Sequence, residues 1–377
     1  MKSTLRVAAV CCCLAAAGTS LSARADATGV QLYGLVDSGL EYLTNSSADA
    51  HGHGVSLTRL TSGDLSGSRW GVKGNEDMGG GNRALFLLES GVDVTTGQTL
   101  QGGRFFGRLA YVGFANNDIG RFTVGRQGGI FLDWVSKYNP LDNAVYAVKM
   151  QDPAFSDRLD NAFRYQAKFG QVEILAQYAQ NYDTVNFGNT LSTPGYLQGR
   201  VIEAGMRYSN GPLSLVLAYD QKNGGSTQLN AAMTAKVGGY EGNVDRRAAI
   251  AGKYKFNSLD VFAGYRYLDA HAVHLSALDT GPVEASDFYW LGATYHASRA
   301  LALSATAMYQ TFNGTQRKPL SFQLSADYSF SKRTDAYVNM GYVVNSHGSN
   351  LGLNGFGSSV IAGRNQFGVM TGIRHRF

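Results

Sequence analysis

The chain has 377 residues, with 33 Lys+Arg against 28 Asp+Glu, 47 Gly, 6 Pro, 3 Cys and only 16% charged residues. A hydrophobic content of 44% with 11% aromatics excludes a disordered chain. Mean hydropathy is −0.16, and no window approaches the ~18 consecutive apolar residues of a spanning helix, which excludes a helical membrane protein. Length alone is compatible with two or three soluble domains of ~150 residues or with one large β domain.

The first element is a processing segment. Lys2 and Arg6 form a basic start, Val7 to Ala17 is an unbroken apolar run, and Ala23-Arg24-Ala25 and Ala25-Asp26-Ala27 are small-residue cleavage sites. That order is the n-region, h-region and A-x-A site of a secretory signal peptide. The expected division is therefore a cleaved signal over 1–25, or through 27, and a single barrel domain over 26–377. Cys11, Cys12 and Cys13 lie inside the apolar run and leave with it, so the mature chain has no disulfide framework. Loss of Lys2, Arg6 and Arg24 brings the mature chain close to neutrality, so the basic balance is not a nucleic-acid signal and no nucleic-acid partner is expected.

From there strict alternation takes over. Strands are predicted near 30–44, 56–74, 82–96, 103–115, 120–127, 157–169, 171–182, 199–210, 213–224, 245–257, 259–271, 286–298, 300–312, 319–331, 334–346 and 365–377, sixteen in all. The clearest runs from Leu320 to Phe330. Leu320, Phe322, Leu324, Ala326, Tyr328 and Phe330 share one face, and Ser321, Gln323, Ser325, Asp327 and Ser329 the other. Its eleven residues match the ~9–11 of a tilted spanning strand. Tight turns at Asn210-Gly211, Asn257-Ser258 and Ser331-Lys332 alternate with long Gly/Ser/Asn-rich loops at 183–198, 225–244, 271–285 and 346–364. Short turns on one side and long loops on the other mark an outer-membrane barrel. The fold class is thus all-β, a membrane-spanning 16-stranded antiparallel barrel, with a secreted β-helix or soluble sandwich as the competing architecture.

In such a barrel the polar face lines a lumen wide enough for water. Five basic residues are the candidate wall of a pore constriction. Arg69 and Lys73 are expected to face inward, with Trp70 and Val72 outward. Arg108 is expected inward with Arg104 sharing its parity, Leu109 and Tyr111 facing out, and Arg158 opens a strand whose outward residues are Phe163 and Tyr165. Converging cations create a local potential that favours anions. The alternative is that each merely balances a lumen carboxylate such as Asp37 or Glu89. The connection from about 127 to 157 contains Pro140 and Pro153, lacks alternation and is long enough to have a job. Folded into the barrel, it would set Asp133, Asp142, Asp152 and Asp157 across from the arginines; left outside, it would be an extracellular loop.

Several segments carry a family resemblance. They are Leu32-Tyr-Gly-Leu-Val-Asp-Ser-Gly39, Leu65 through Gly81, Leu88-Glu-Ser-Gly91, Phe106 through Phe114, Thr123-Val-Gly-Arg-Gln127 and Gly372-Ile-Arg-His-Arg-Phe377. On these the chain resembles the trimeric general porins of Gram-negative bacteria, closest to the beta-proteobacterial group, over essentially the whole mature sequence. The resemblance implies a homotrimer of sixteen-stranded barrels in the outer membrane, each with its third loop folded inward at a constriction. It matches Arg69, Arg108 and Arg158 to the constriction wall and 127–157 to the third loop. Phe377 looks like the terminal signal read by the barrel assembly machinery. Lipid and lipopolysaccharide are the expected surroundings. Leu87 departs from the family, where a polar lumen residue is common, and Gly129 through Trp134 is an unusual opening for the third loop. Which loop acid faces the arginines stays open.

Other motifs carry less. Gly79-Gly80-Gly81-Asn82-Arg83-Ala84 fits a loose dinucleotide pattern but sits between strands with no helix following, and so reads as a turn. His51 with His53, and His271 with His274, lack a third metal ligand. No metal or cofactor is expected, and no catalytic residue. The function expected is passive diffusion of ions and small hydrophilic solutes with a weak to moderate anion preference. A channel dedicated to small organic or inorganic anions is the alternative, and an adhesin or scaffold a more distant one.

Overall fold

The computed structural model describes residues 29–48, 53–182, 199–224, 244–271, 285–356 and 360–377. The export-signal segment, His51, His274 and the loop stretches 183–198, 225–243 and 272–284 lie outside the described residues. Sixteen antiparallel strands close into a barrel. They are β1 (Gly29–Ala48), β2 (in two segments, Gly54–Ser62 and Arg69–Gly79), β3 (Asn82–Gly91), β4 (Leu109–Asn116), β5 (Gly120–Gly128) and β6 (Arg158–Phe169). There follow β7 (Val172–Ala179), β8 (Val201–Asn210), β9 (Leu213–Asn223), β10 (Val244–Lys255), β11 (Leu259–His271) and β12 (Ala285–His296). The last four are β13 (Leu301–Phe312), β14 (Leu320–Ser329), β15 (Thr334–Val344) and β16 (Gln366–Arg376).

Closure is made by the first and last strands of the barrel. β1 pairs with β16 from Leu35↔Arg376 to Leu43↔Gly368. One step lower, Gly34 N donates to Phe377 O at 3.2 Å and Phe377 N donates to Gly34 O at 3.0 Å. No sheet edge is left to lipid, where an unpaired backbone group would cost several kcal/mol. The pleat then sorts every side chain. Leu324 is 57% exposed on the outside, in register with Ala305 and Met340, while its neighbours Gln323 and Ser325 are buried inside. Tyr219, Tyr267, Tyr289, Tyr309 and Tyr342 form an outward aromatic belt toward the long loops. Tyr254, Tyr295, Tyr328 and Phe330 form another near the short turns. Such belts hold the ring in the acyl boundary and the hydroxyl in the headgroups.

The structure departs from the sequence pattern in three places. The strand expected at 56–74 is broken at 63–68, where Ser-Gly-rich chain leaves the sheet; Leu65 N and Ser66 N donate to Asp37 Oδ2 at 3.0 and 2.6 Å. The strand expected at 103–115 begins only at Leu109, because 101–108 form turns. That shift reverses the pleat: Val112 and Phe114 face outward, and Tyr111 pairs with Leu87 on the lumen side. The loop at 346–364 also contains a two-residue hairpin, Leu351–Gly352 with Gly355–Phe356.

The third loop, between β5 and β6, folds into the lumen and packs on the wall opposite β2–β6. A short helix α1 (Ile130–Asp133) and three 3-10 turns carry its apolar side chains. Ile130, Phe131, Trp134, Val135 and Phe155 bury against Val216, Phe288, Trp290 and Met308. Glycine makes the approach close. A Cβ at Gly205 would collide with Ile130, and one at Gly292 would lie 2.6 Å from Pro140 Cγ. Elsewhere the inner face is mostly polar, with Leu87 and Tyr111 as an apolar pair on the lumen side.

The lipid contact of the outer face sets an expected outcome. Leu324→Arg should cost about 2–4 kcal/mol of barrel stability, measured by urea titration of protein folded in vesicles. An unchanged midpoint would place Leu324 away from lipid.

Candidate functional site

The site is the gap between the third loop and the β2–β6 wall. Arg69 stands at the start of the second β2 segment, Arg108 immediately before β4, and Arg158 at the start of β6. Alternate strands of the wall thus bring the three guanidiniums within electrostatic reach of one another. Arg108 Nε donates to Glu89 Oε1 at 2.6 Å, and Arg69 Nε lies 3.4 Å from Glu89 Oε2. Tyr33 OH donates to the same carboxylate at 2.9 Å. Arg158 donates to Ser156 O at 3.2 Å and makes no ion pair among the described residues. Arg69 and Arg108 therefore share one carboxylate, and Arg158 adds a third cation with no ion-paired carboxylate among the described residues. Arg108 reaches the lumen because it precedes the strand and is free of its parity.

Arg104 is brought close but committed elsewhere, with NH2 3.0 Å from Asp160 Oδ2. Arg126, in β5, binds Asp160 Oδ1 at 2.5 Å and Gly107 O at 2.8 Å. Sequence reasoning passed over Arg126 as a site residue, although it lies in the Thr123–Gln127 segment. Lys73 sits lower, toward the short turns, with its ammonium 5.2 Å from the centre of the Tyr33 ring. It belongs to the vestibule rather than to the narrow part.

The loop acids do not form the expected opposing row. Asp152 is fully buried on the far wall, with Oδ2 3.1 Å from Arg247 Nε and 2.8 Å from Arg266 Nε. Its Oδ1 also accepts from Ala154 N at 3.0 Å, capping the last 3-10 turn. Asp133 binds Arg164 at 2.7 Å, and Asp157 binds Lys222. Those three carboxylates fasten the loop to β6, β9, β10 and β11. Asp142 is the acid left near the arginines, within electrostatic reach of Arg69, and it is already paired with Lys137 at 2.5 Å. The loop adds a cation instead. Burial, with the Arg158 and Arg108 guanidiniums beside it, pushes the Lys149 ammonium down to about 8.

Further anchors hold the loop across the lumen. Trp290 Nε1 donates to Tyr138 O at 2.8 Å, Ile130 N donates to Glu203 Oε2 at 2.9 Å, and Tyr146 OH donates to Glu41 Oε1 at 3.0 Å. Val145 N donates to Asp64 O at 2.8 Å, so the break in β2 receives the loop tip. The side chains facing the remaining gap carry excess positive charge, an arrangement that favours anions.

Known proteins share this architecture. Residues 8–348 match a family described as Gram-negative porin. An outer membrane porin protein of Bordetella pertussis is 30% identical over 282 residues, covering 70% of this chain and 69% of that protein. The structure of an anion-selective porin from Comamonas acidovorans aligns with a TM-score of 0.76 at 25% identity, covering 93% of this chain and all of that one. The trimer form of OmpT from Vibrio cholerae aligns with a TM-score of 0.65 at 17% identity, covering 93% of this chain.

Two outcomes follow from the geometry. Asp152→Asn takes from Arg266 its one ion-paired carboxylate among the described residues and from Arg247 the nearest of three, the others being Asp220 at 3.5 Å and Asp245 at 3.8 Å; leaving the Arg266 charge buried and unpaired should cost about 3–5 kcal/mol. The variant should show noisier single-channel current and a lower melting temperature; a quiet, wild-type trace would mean that Asp152 does not hold the loop. Because Lys149 is charged below about 8 and neutral above it, anion preference should fall as pH rises from about 7 to about 9. Lys149→Met should remove that step, and a step that persisted would assign it to another group.

Proposed function

The chain belongs to the Gram-negative porin family and is a β-barrel channel of the outer membrane; from that premise we propose a passive pore for ions and small hydrophilic solutes with a weak to moderate anion preference. One observation carries the preference: Arg69, Arg108 and Arg158 line the gap, Glu89 pairs with the first two, and no carboxylate pairs with the third among the described residues. At an effective dielectric near 20, a unit charge ~4 Å from a guanidinium is worth ~4 kcal/mol, so even a partly screened surplus biases which ion enters. The described anion selectivity of the Comamonas porin supports the same reading.

The remaining roles are part of this proposal. Residues 1–25 act as a cleaved export signal, and Phe377, paired to Gly34 at the seam, serves as the assembly signal. The working form is a homotrimer set in lipid and lipopolysaccharide, a reading supported by the trimer form of the Vibrio relative. The chain works as a channel and not as an enzyme, in keeping with relatives that are porins.

The test is Arg108→Ala. It should lower the chloride-to-potassium permeability ratio by about twofold or more while heat-resistant trimers still form on electrophoresis. Unaltered selectivity would remove Arg108 from the constriction.

A further inference from the structure

Below the constriction, on the side of the short turns, a cavity of about 810 Å³ opens between β2 and β7. Lys73, Arg83, Arg121 and Lys168 line it, and none of the four makes an ion pair among the described residues. Its one carboxylate, Glu173, is already taken: Arg207 Nε donates to it at 3.0 Å, and Gln166 Nε2 donates as well. Arg121 NH2 donates to Gln166 Oε1 at 2.9 Å, and Arg83 NH2 donates to Asn117 Oδ1 at 3.1 Å. The Arg83 Nε is buried and has no acceptor. The cavity thus holds four cations and a spare buried donor with no acid assigned to them.

The middle of the same wall is apolar, between Lys73 and Arg83 on one side and Arg121 and Lys168 on the other. Leu85, Leu87 and Tyr111 line the same cavity, and Leu87 and Tyr111 are direct register partners facing the lumen. Leucine gains nothing against pore water, whereas a carbon skeleton set on it removes apolar surface from water. A site with an apolar flank and a few convergent polar groups has the composition of a small-molecule pocket.

We propose that this vestibule is a second anion site, distinct from the constriction, that holds an organic dianion. Its hydrocarbon body lies on Leu85, Leu87 and Tyr111, and its two carboxylates lie on the basic rim. The two guanidiniums present planar forks that match carboxylates, and the two ammoniums add point charge. Lys73 lies four residues below Arg69 along β2, ~13 Å at ~3.3 Å per residue. An anion leaving the constriction therefore passes directly into the second site. The proposal rests on the channel reading and names the class of solute that the channel handles best.

Planar-bilayer recording with phthalate as the probe tests it, with sulfate as an inorganic dianion and benzoate as a monoanion. Each is added to one chamber at a time. Phthalate added on the short-turn side should reduce chloride current with half-block at ~1–10 mM. Sulfate and benzoate should each need at least about fivefold more. Arg121→Gln with Lys168→Gln should raise the phthalate half-block at least about fivefold and keep the sign of the reversal potential. Lys168→Gln alone, at an exposed strand end, should raise it about twofold and guards against misfolding of the double variant. Equal block by phthalate and sulfate, or an unchanged half-block in both variants, would overturn the vestibule site. A cation-selective wild-type channel would instead contradict the channel's anion reading, so the two failures are distinguishable.

Discussion

Pairing of every backbone polar group at membrane depth is the constraint on which this molecule depends. Lipid offers no hydrogen bonds, so the sheet closes, and the seam is made by the first and last strands, β1 and β16, and the Gly34–Phe377 exchange. Closure dictates a period of two along every strand, which separates an apolar exterior from a polar interior. Low overall charge and abundant Tyr and Phe are the compositional trace of that separation. The break in β2 at 63–68 is tolerated because Asp37 accepts from Leu65 N and Ser66 N.

Within the closed wall, charge is partitioned by burial. The third loop brings acids and apolar side chains to β8–β13, where Asp152 meets Arg247 and Arg266 and Phe155 stacks edge-on to Trp290 at 5.9 Å. A buried carboxylate between two guanidiniums costs desolvation, and its value lies in fixing one position of the loop. Once those acids are spent on attachment, they cannot neutralise the facing wall. Selectivity therefore emerges from where the loop's carboxylates are fastened as much as from the arginines themselves.

Much of the fold was legible in the residues. Alternation in segments such as Leu320–Phe330, with short turns alternating with long loops, sufficed for a sixteen-stranded barrel, because lipid imposes the same period on every strand. Arg69 and Arg158 sat on strands whose outward neighbours were unmistakable. The parity that points Arg108 inward does not apply: the strand begins only at Leu109, and Tyr111 takes the lumen face instead. Ser62 through Ser68, rich in Gly and Ser, carried a signal for the break in β2 that the flanking alternation masked. The fate of Asp152 was not legible at all. Its partners Arg247 and Arg266 lie on distant strands, and only the folded loop brings them together.

Anion preference in this channel comes from a surplus of positive charge between the third loop and the wall of Arg69, Arg108 and Arg158. Its most direct test is the zero-current potential of the wild-type protein in a planar bilayer under a potassium chloride gradient. The expected potential has the sign of chloride-preferring permeation and weakens as ionic strength screens the wall. A potassium-preferring potential at low salt would contradict it.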